Sequence, residues 1–154
     1  MSGATGLVLT IFREFEAPRE LVFRAWTERA LLMKWLCPAG FTTTTGAMDV
    51  RPGGAWRAGM RAPDGAEFVA FGEYREIVPP ERLVMTHMWD EPGVPPHETV
   101  ITVTLAERGG KTVMTFEQSG FVSAVSRDSH GEGWGGAFEN LGEALRLARV
   151  PAGR

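Results

Sequence analysis

His87 is the side chain best placed for chemistry, within the stretch "LVMTHMWD". Side chains along a strand alternate between its two faces, so His87 shares a face with Met85 and Trp89 in apolar surroundings. The stretch "TVMTFEQSG" brings Gln118 onto an apolar face in the same way. Buried polar groups need a partner from the protein, water or a ligand. His87 is therefore interpreted as a core or pocket-lining residue, with ligand orientation and acid–base catalysis as the alternatives.

The histidines and the single cysteine do not indicate a metal or a nucleophile. His87, His97 and His130 fall in three separate segments, with no i,i+4 pair among them. Zinc and iron sites need at least three convergent ligands. Cys37 directly precedes Pro38 without the signature of a catalytic cysteine, so we assign it to apolar packing. The sequence predicts neither a metal nor a cofactor.

The glycine-rich stretch "GEGWGG" at 131–136 matches the G-x-G-x-x-G pattern of a dinucleotide-binding turn. Such a turn needs a strand before it and a second parallel strand after its helix. Only 18 residues follow Gly136 in the chain of 154, and their pattern is that of a helix and a tail. We therefore expect no nucleotide. The glycines are expected instead to form a sharp loop and to bring the start of a helix close to a sheet.

The elements that position these residues follow from the periodicity of apolar side chains. Alternation predicts a first strand over 7–17, Pro18 begins a helix, and "RALLMKWL" forms a second short helix. Six further strands, joined by short turns rich in Gly and Pro, predict an antiparallel meander. They are expected at 41–50, 54–61, 66–78, 82–90, 98–107 and 111–118.

The chain ends in a predicted helix with one apolar stripe, formed by Trp134, Phe138, Leu141, Leu145 and Ala148. Segregation of the helices from a run of strands predicts an α+β fold and not an alternating α/β fold. Because neither a linker nor a repeat interrupts the 154 residues, we expect a single domain over residues 1–154.

Composition argues against several classes of function. Apolar residues make up 44% and charged residues 23%, as in soluble globular proteins, and a net charge of −3 gives no basic field for nucleic acid. No apolar run approaches the length of a membrane span, and the N-terminus lacks the features of a signal peptide. We expect a cytoplasmic protein, with which a single cysteine agrees.

Four stretches in order carry a family resemblance: "FEAPRELVFRAWTERALLMKW" with Pro38 close behind, "DVRPGGAWRAGMRAPDG", "GEYREIVPPERLVMTHMW" and "GWGGAFENLGEAL". Together they resemble the START-like (SRPBCC) superfamily. Within it they are similar to the Aha-type group, named after the C-terminal domain of the activator of the 90-kDa heat-shock chaperone ATPase. The resemblance extends over nearly the whole chain.

This resemblance implies a helix-grip fold, in which a strongly curved antiparallel sheet wraps around the long C-terminal helix and leaves a cavity between them. A gap lined by aromatic and methionine side chains is the usual form of a small-molecule site. The side chains expected to contact a ligand there are Trp26, Trp35, Trp56, Met60, Phe71, Met85, His87, Trp89, Phe116, Gln118, Trp134, Phe138 and Leu141.

Three hypotheses of function follow. The first is binding of a small apolar or amphipathic molecule in the cavity, without a dedicated catalytic group. The second is an enzyme for cyclisation, dehydration or hydrolysis, with His87 as its acid–base group. The third is a module that contacts a chaperone through its surface. Because the superfamily includes carriers and enzymes alike, the resemblance leaves all three open, and it leaves a homodimer open as well.

Overall fold

The computed structural model describes residues 7–148, and this part of the chain forms seven strands and three helices. The strands are β1 (Leu7–Phe15), β2 (Thr42–Met48), β3 (Ala55–Arg61), β4 (Glu67–Val78), β5 (Arg82–Trp89), β6 (Thr99–Arg108) and β7 (Lys111–Phe121). The helices are α1 (Arg19–Thr27), α2 (Arg29–Leu32) and α3 (Ala124–Ala148). The predicted order of elements is confirmed, although β7 extends three residues beyond its predicted end.

The seven strands form one antiparallel sheet in the order β1-β7-β6-β5-β4-β3-β2. Strands β2 to β7 are a meander, and β1 completes the sheet at the edge of β7. The register shifts between Thr43 and Thr45 in β2 and between Tyr74 and Glu76 in β4. Such irregularities bend a strand and increase its twist, which helps the sheet to curve around α3. The helix-grip prediction is confirmed.

The two halves of the concave face are covered differently. Helix α3 packs mainly against β1 and also contacts α1 and β7. Helix α1 lies against β6 and β7, and its Trp26 is buried there. The β1–β7–β6 half of the sheet is therefore closed by two helices, whereas β3, β4 and β5 lie outside the main contacts of α3.

Helix α3 begins well before the position expected from its apolar stripe. Ser123 precedes it, and the Ser123 hydroxyl accepts a hydrogen bond from the Ser126 backbone N–H at 3.1 Å, which is the geometry of an N-cap. The glycines of 131–136 therefore lie inside the helix, and the prediction that they form a loop is wrong.

Close packing explains why α3 carries so many glycines. A Cβ atom at Gly136 would come within 2.7 Å of the Ala39 backbone nitrogen, and one at Gly131 within 3.1 Å of a methyl group of Leu9. Glycine in a helix interior costs about 1 kcal/mol relative to alanine. Here that cost allows the helix to lie close to β1 and to the segment after α2. No helix in residues 7–148 combines the length and the apolar character needed to cross a membrane.

Candidate functional site

A pocket of about 520 Å³ lies between strands β3–β5 and the N-terminal half of α3. Its volume is within the range of sites that hold small molecules. The walls are mostly aromatic, aliphatic and sulfur-containing, and the charged side chains are confined to strand ends and the loop after β5. The lining comprises Leu36, Cys37, Pro38, Phe41, Trp56, Met60, Glu67, Phe68, Val69, Ala70, Met85, His87, Trp89, Asp90, Glu91, Pro92, Val94, Ser129, His130, Gly133, Trp134 and Ala137.

Six of the thirteen predicted ligand contacts line this pocket: Trp56, Met60, Met85, His87, Trp89 and Trp134. Six others are packed in the core and are at most 2% exposed: Trp26, Trp35, Phe116, Gln118, Phe138 and Leu141. The rings of Trp26, Trp35, Phe116 and Phe138 pack against one another, and none of the six residues lines the pocket. Ligand contact has no geometric support at these six positions.

Phe71 lies on the opposite face of the sheet. It pairs with Arg57 across β3 and β4, and the Arg57 guanidinium lies 5.8 Å from the centre of the Phe71 ring. The inward face of β4 carries Phe68 and Ala70 instead, both of which line the pocket. The sequence "EFVAFGEY" alternates equally well in either phase, so the prediction selected the wrong phenylalanine.

His130 is a pocket residue that the prediction of ligand contacts missed. It lies four residues before Trp134, and this spacing places the two side chains on one face of α3. Extending the apolar stripe back by one turn beyond the glycines would have identified it. The interpretation of those glycines as a loop prevented that step.

Trp56 forms one wall of the pocket because a glycine lies opposite it. Trp56 of β3 pairs with Gly72 of β4, and its indole N–H donates to the Thr86 carbonyl of β5 at 3.0 Å. A Cβ atom at Gly72 would lie 2.8 Å from that indole nitrogen and still closer to the Thr86 carbonyl oxygen. Gly72 therefore lets a β3 side chain reach across β4, which fixes the ring at the pocket wall.

His87 lies at the inner wall of the pocket and is 5% exposed. The centre of its ring is 5.7 Å from that of Trp56, 5.2 Å from Trp89 and 6.2 Å from Trp134. The centre of the His130 ring lies 5.9 Å from that of His87. Within residues 7–148, the ring of His87 forms no hydrogen bond with another residue, and only its own backbone interacts with it. His87 is thus a polar side chain enclosed by aromatic rings, with free hydrogen-bonding capacity at the pocket.

The pKa of His87 is lowered to about 3, mainly by burial and to a smaller extent by the neighbouring His130, against a raising effect from its own backbone. Taking a charged imidazolium out of water is costly, and no carboxylate in residues 7–148 contributes to offset that cost. His87 is therefore a neutral imidazole at physiological pH, with one nitrogen that donates and one that accepts.

His130 is held in one tautomer by two hydrogen bonds. Its Nδ1 lies 2.8 Å from the Ser126 carbonyl oxygen, which can only accept, so Nδ1 carries the hydrogen. Its Nε2 then accepts a hydrogen bond from the Trp89 indole N–H at 2.9 Å. Both nitrogens of His130 are satisfied within the protein, which leaves His87 as the imidazole available to a ligand.

A buried chain of hydrogen bonds joins the core to the pocket. The Trp134 indole donates to the Gln118 Oε1 at 2.9 Å, and the Gln118 Nε2 donates to the Thr99 hydroxyl at 2.9 Å. The Thr99 hydroxyl in turn donates to the His87 carbonyl at 3.0 Å. Gln118 therefore has a partner for both its amide oxygen and its amide nitrogen, which explains a polar residue at this buried position.

The charged side chains of the pocket are all acidic. Asp90 forms an ion pair with Arg57 at 2.6 Å, and Glu67 forms one with Arg61 at 3.1 Å. Neither arginine lines the pocket, because both point to the outer face of β3. No ion pair or hydrogen bond in residues 7–148 engages the carboxylate of Glu91, which is exposed.

Cys37 lies in the pocket wall and is buried, with its thiol donating to the Phe41 carbonyl at 3.3 Å. Among the described residues, no hydrogen bond joins Cys37 to a histidine or a carboxylate, which is the partner that a nucleophilic thiolate needs. Within residues 7–148, no three His, Cys, Asp or Glu side chains are grouped so as to hold a metal ion. The absence of a metal stays a prediction.

A curved antiparallel sheet that holds a long C-terminal helix, with a pocket between the two, defines a helix-grip protein of the START-like class. The family model described as "Activator of Hsp90 ATPase homolog 1-like protein" matches residues 16–146. The chain therefore belongs to this family, within the START-like (SRPBCC) superfamily.

Solved structures of bacterial proteins share this fold. The Chromobacterium violaceum protein CV1439 is 30% identical with a TM-score of 0.83, covering 90% of this chain and 96% of that one. The Nitrosomonas europaea protein NE0264 is 29% identical with a TM-score of 0.79, covering 98% and 100%. The AHSA1 protein SPO3351 of Silicibacter pomeroyi, at 21% identity, has a TM-score of 0.84 over 93% and 100%. A search of curated proteins found no significant match to this chain.

Proposed function

We propose that this protein binds a small apolar or amphipathic molecule in the pocket between β3–β5 and α3. The observation that carries this proposal is the pocket of about 520 Å³ around His87. The imidazole of His87 forms no hydrogen bond with another residue in residues 7–148, so a bound molecule with one polar atom could bond to it there.

The walls suit a ligand with an apolar body. The rings of Trp56, Trp89 and Trp134 offer large contact areas that are held in place by indole hydrogen bonds. Burying about 300 Å² of ligand apolar surface contributes on the order of 7 kcal/mol, against at least about 4 kcal/mol for association. Apolar surface buried on the protein side adds to the gain, so we expect affinities of roughly micromolar strength.

The chemistry of His87 supports binding over acid–base catalysis. A general base is most effective when its pKa lies near the working pH, and the pKa of His87 is lowered to about 3. The ring also lacks the orienting carboxylate that a catalytic histidine needs. His87 therefore acts as a neutral hydrogen-bonding group that orients the ligand.

The proposal is tested by filling the pocket from α3. Ala137 lines the pocket, and its replacement in Ala137→Phe would place a ring in the space assigned to the ligand. Uptake of the uncharged fluorescent probe N-phenyl-1-naphthylamine should weaken by about tenfold or more, with a stability cost of about 1–3 kcal/mol from overpacking. Probe fluorescence and urea unfolding measure the two effects.

Ala144→Phe is the matched control, because Ala144 lies two turns later on the same face of α3 and packs against the core outside the pocket. It should lower stability while leaving probe affinity unchanged. If the wild-type protein takes up no uncharged apolar probe, the binding proposal fails. The chaperone-contact hypothesis would then take its place, with Phe12, which is 68% exposed on β1, as the first side chain to substitute.

A further inference from the structure

The charged residues that line the pocket are all acidic. The residues that line it include Glu67, Asp90 and Glu91, and neither lysine nor arginine is among them. Arg57 and Arg61 pair with two of these carboxylates, so three negative and two positive charges leave the rim with a net charge of −1. The unpaired charge is that of Glu91, at the start of a turn in which its carbonyl accepts from the Val94 N–H.

The interior of the pocket also disfavours an anion. His130 uses both ring nitrogens within the protein, and His87 is an uncharged imidazole enclosed by three tryptophans. A carboxylate placed there would lose its hydration without meeting a cation. Aromatic ring faces carry negative electrostatic potential, so they attract cations.

The mouth of the pocket combines aromatic faces with the acidic rim. The rings of Phe68 and Phe41 lie 6.0 Å apart, and Phe68 is 6.4 Å from Trp89. Phe68 follows Glu67 directly, and Asp90 and Glu91 follow Trp89, so acidic residues neighbour the aromatic residues of the opening in the chain. This arrangement suits an organic cation at the mouth, with its apolar body directed inward.

We propose that the pocket selects amphipathic amines: the apolar body packs against the aromatic walls, and the ammonium group lies at the rim beside Glu91. This inference rests on the proposed binding function and names the ligand class of that site. His87 provides a hydrogen bond to a polar atom of the ligand body where one is present.

A matched series of ligands separates charge selection from binding itself. Decylamine, decanol and decanoate share one apolar chain and differ in the charge of the head group at neutral pH. We expect decylamine to bind about tenfold more tightly than decanoate at low ionic strength, with decanol between them, as measured by calorimetry and tryptophan fluorescence. Added salt should reduce the difference, because the rim is exposed.

The variant Glu91→Gln locates the effect. It should reduce decylamine affinity about threefold while leaving decanol affinity unchanged. Glu107→Gln removes the same charge from an exposed position outside the pocket, and it should change neither the affinity for decylamine nor that for decanol.

The outcomes separate the two proposals. Decanol binding together with equal affinity for decylamine and decanoate, or a preference for decanoate, would overturn the amine proposal and leave the binding function in place. An unchanged preference in Glu91→Gln would overturn the assignment of the ammonium to Glu91. Failure of all three ligands to bind, together with failure of the uncharged probe, would overturn both.

Discussion

The concave face of the sheet carries two aromatic regions built from the same residue types with different outcomes. In the aromatic core, formed by Trp26, Trp35, Phe116 and Phe138, ring centres lie 4.8 to 6.3 Å apart and every side chain is buried. In the pocket, the rings around His87 lie at similar distances, but they border a space of about 520 Å³.

The difference lies in the elements that cover the two regions. Trp26 and Trp35 come from α1 and the segment after α2, and they fill the concave face above β6 and β7. No helix supplies equivalent side chains above β3–β5 in residues 7–148, where short segments and one face of α3 form the border instead. An aromatic residue on the concave face therefore becomes core or pocket wall according to the helix above it.

Removing an aromatic ring from each region gives the largest expected contrast. Trp26→Ala should lower the free energy of unfolding by about 3–5 kcal/mol, because it leaves a cavity in closely packed surroundings. Trp89→Ala should cost less than half as much, since Trp89 is half-buried and already borders open space. Urea unfolding of both variants provides the measurement. Equal losses would mean that the pocket is packed as tightly as the core, and the distinction would fail.

The hydrogen bonds of Gln118 join the aromatic core to the pocket, and they provide a test of how strongly the two regions are coupled. In Gln118→Leu, the Trp134 indole N–H loses its acceptor in a buried site, which should cost about 1–3 kcal/mol. Adding Trp134→Phe removes the orphaned donor, so the double variant should lose less than the sum of the two single variants. Additive losses in urea unfolding would show that Gln118 and Trp134 are not coupled.

Much of the fold was predictable because its signals are local. Alternation located the strands, Pro18 marked the start of α1, and the meander followed from short turns. The start of α3 was missed because glycines suggest a loop, whereas their reason here is the close approach of Gly136 to Ala39, a tertiary contact. Local patterns do not reveal such contacts.

The candidate site was predictable only in part, for the same reason. The phase of β5 was fixed by a run of apolar residues, so Met85, His87 and Trp89 were assigned together to the inner face. Trp26 and Trp35 were assigned to the same site, because sequence does not show which part of the concave face α1 and α2 fill. The single-domain and cytoplasmic expectations stay predictions.

The neutral His87 predicts a dependence of stability on pH. The unfolded chain binds a proton at this residue as the pH falls below about 6.5, whereas the folded protein does not until about pH 3. The free energy of unfolding should therefore fall by about 2 kcal/mol between about pH 7 and about pH 5 through this group alone. Above about pH 7, His87 adds no pH dependence to the free energy of unfolding.

The variant His87→Gln isolates this contribution from those of the carboxylates. Its unfolding free energy should run parallel to that of the wild type above about pH 7, and the two curves should diverge by about 2 kcal/mol on acidification to about pH 5. Urea unfolding at several pH values gives both curves. Parallel curves throughout would mean that His87 is hydrated and not enclosed by the tryptophans.

The smallest expected effect concerns the hydrogen bond between Trp89 and His130 at the border of the pocket. Trp89→Phe keeps an aromatic ring but removes the indole N–H that donates to His130 Nε2, at a cost of about 0.5–1.5 kcal/mol. Nitrogen chemical shifts should show His130 as the Nδ1–H tautomer in the wild type, because the Ser126 carbonyl accepts from Nδ1. The variant should keep this tautomer but leave Nε2 free, which gives the pocket a second unsatisfied imidazole nitrogen. Affinity for decanol should then rise slightly or stay constant, despite the lower stability. A wild-type His130 in the Nε2–H tautomer would contradict the hydrogen-bond assignment, and His130 would then compete with His87 for the polar atom of the ligand.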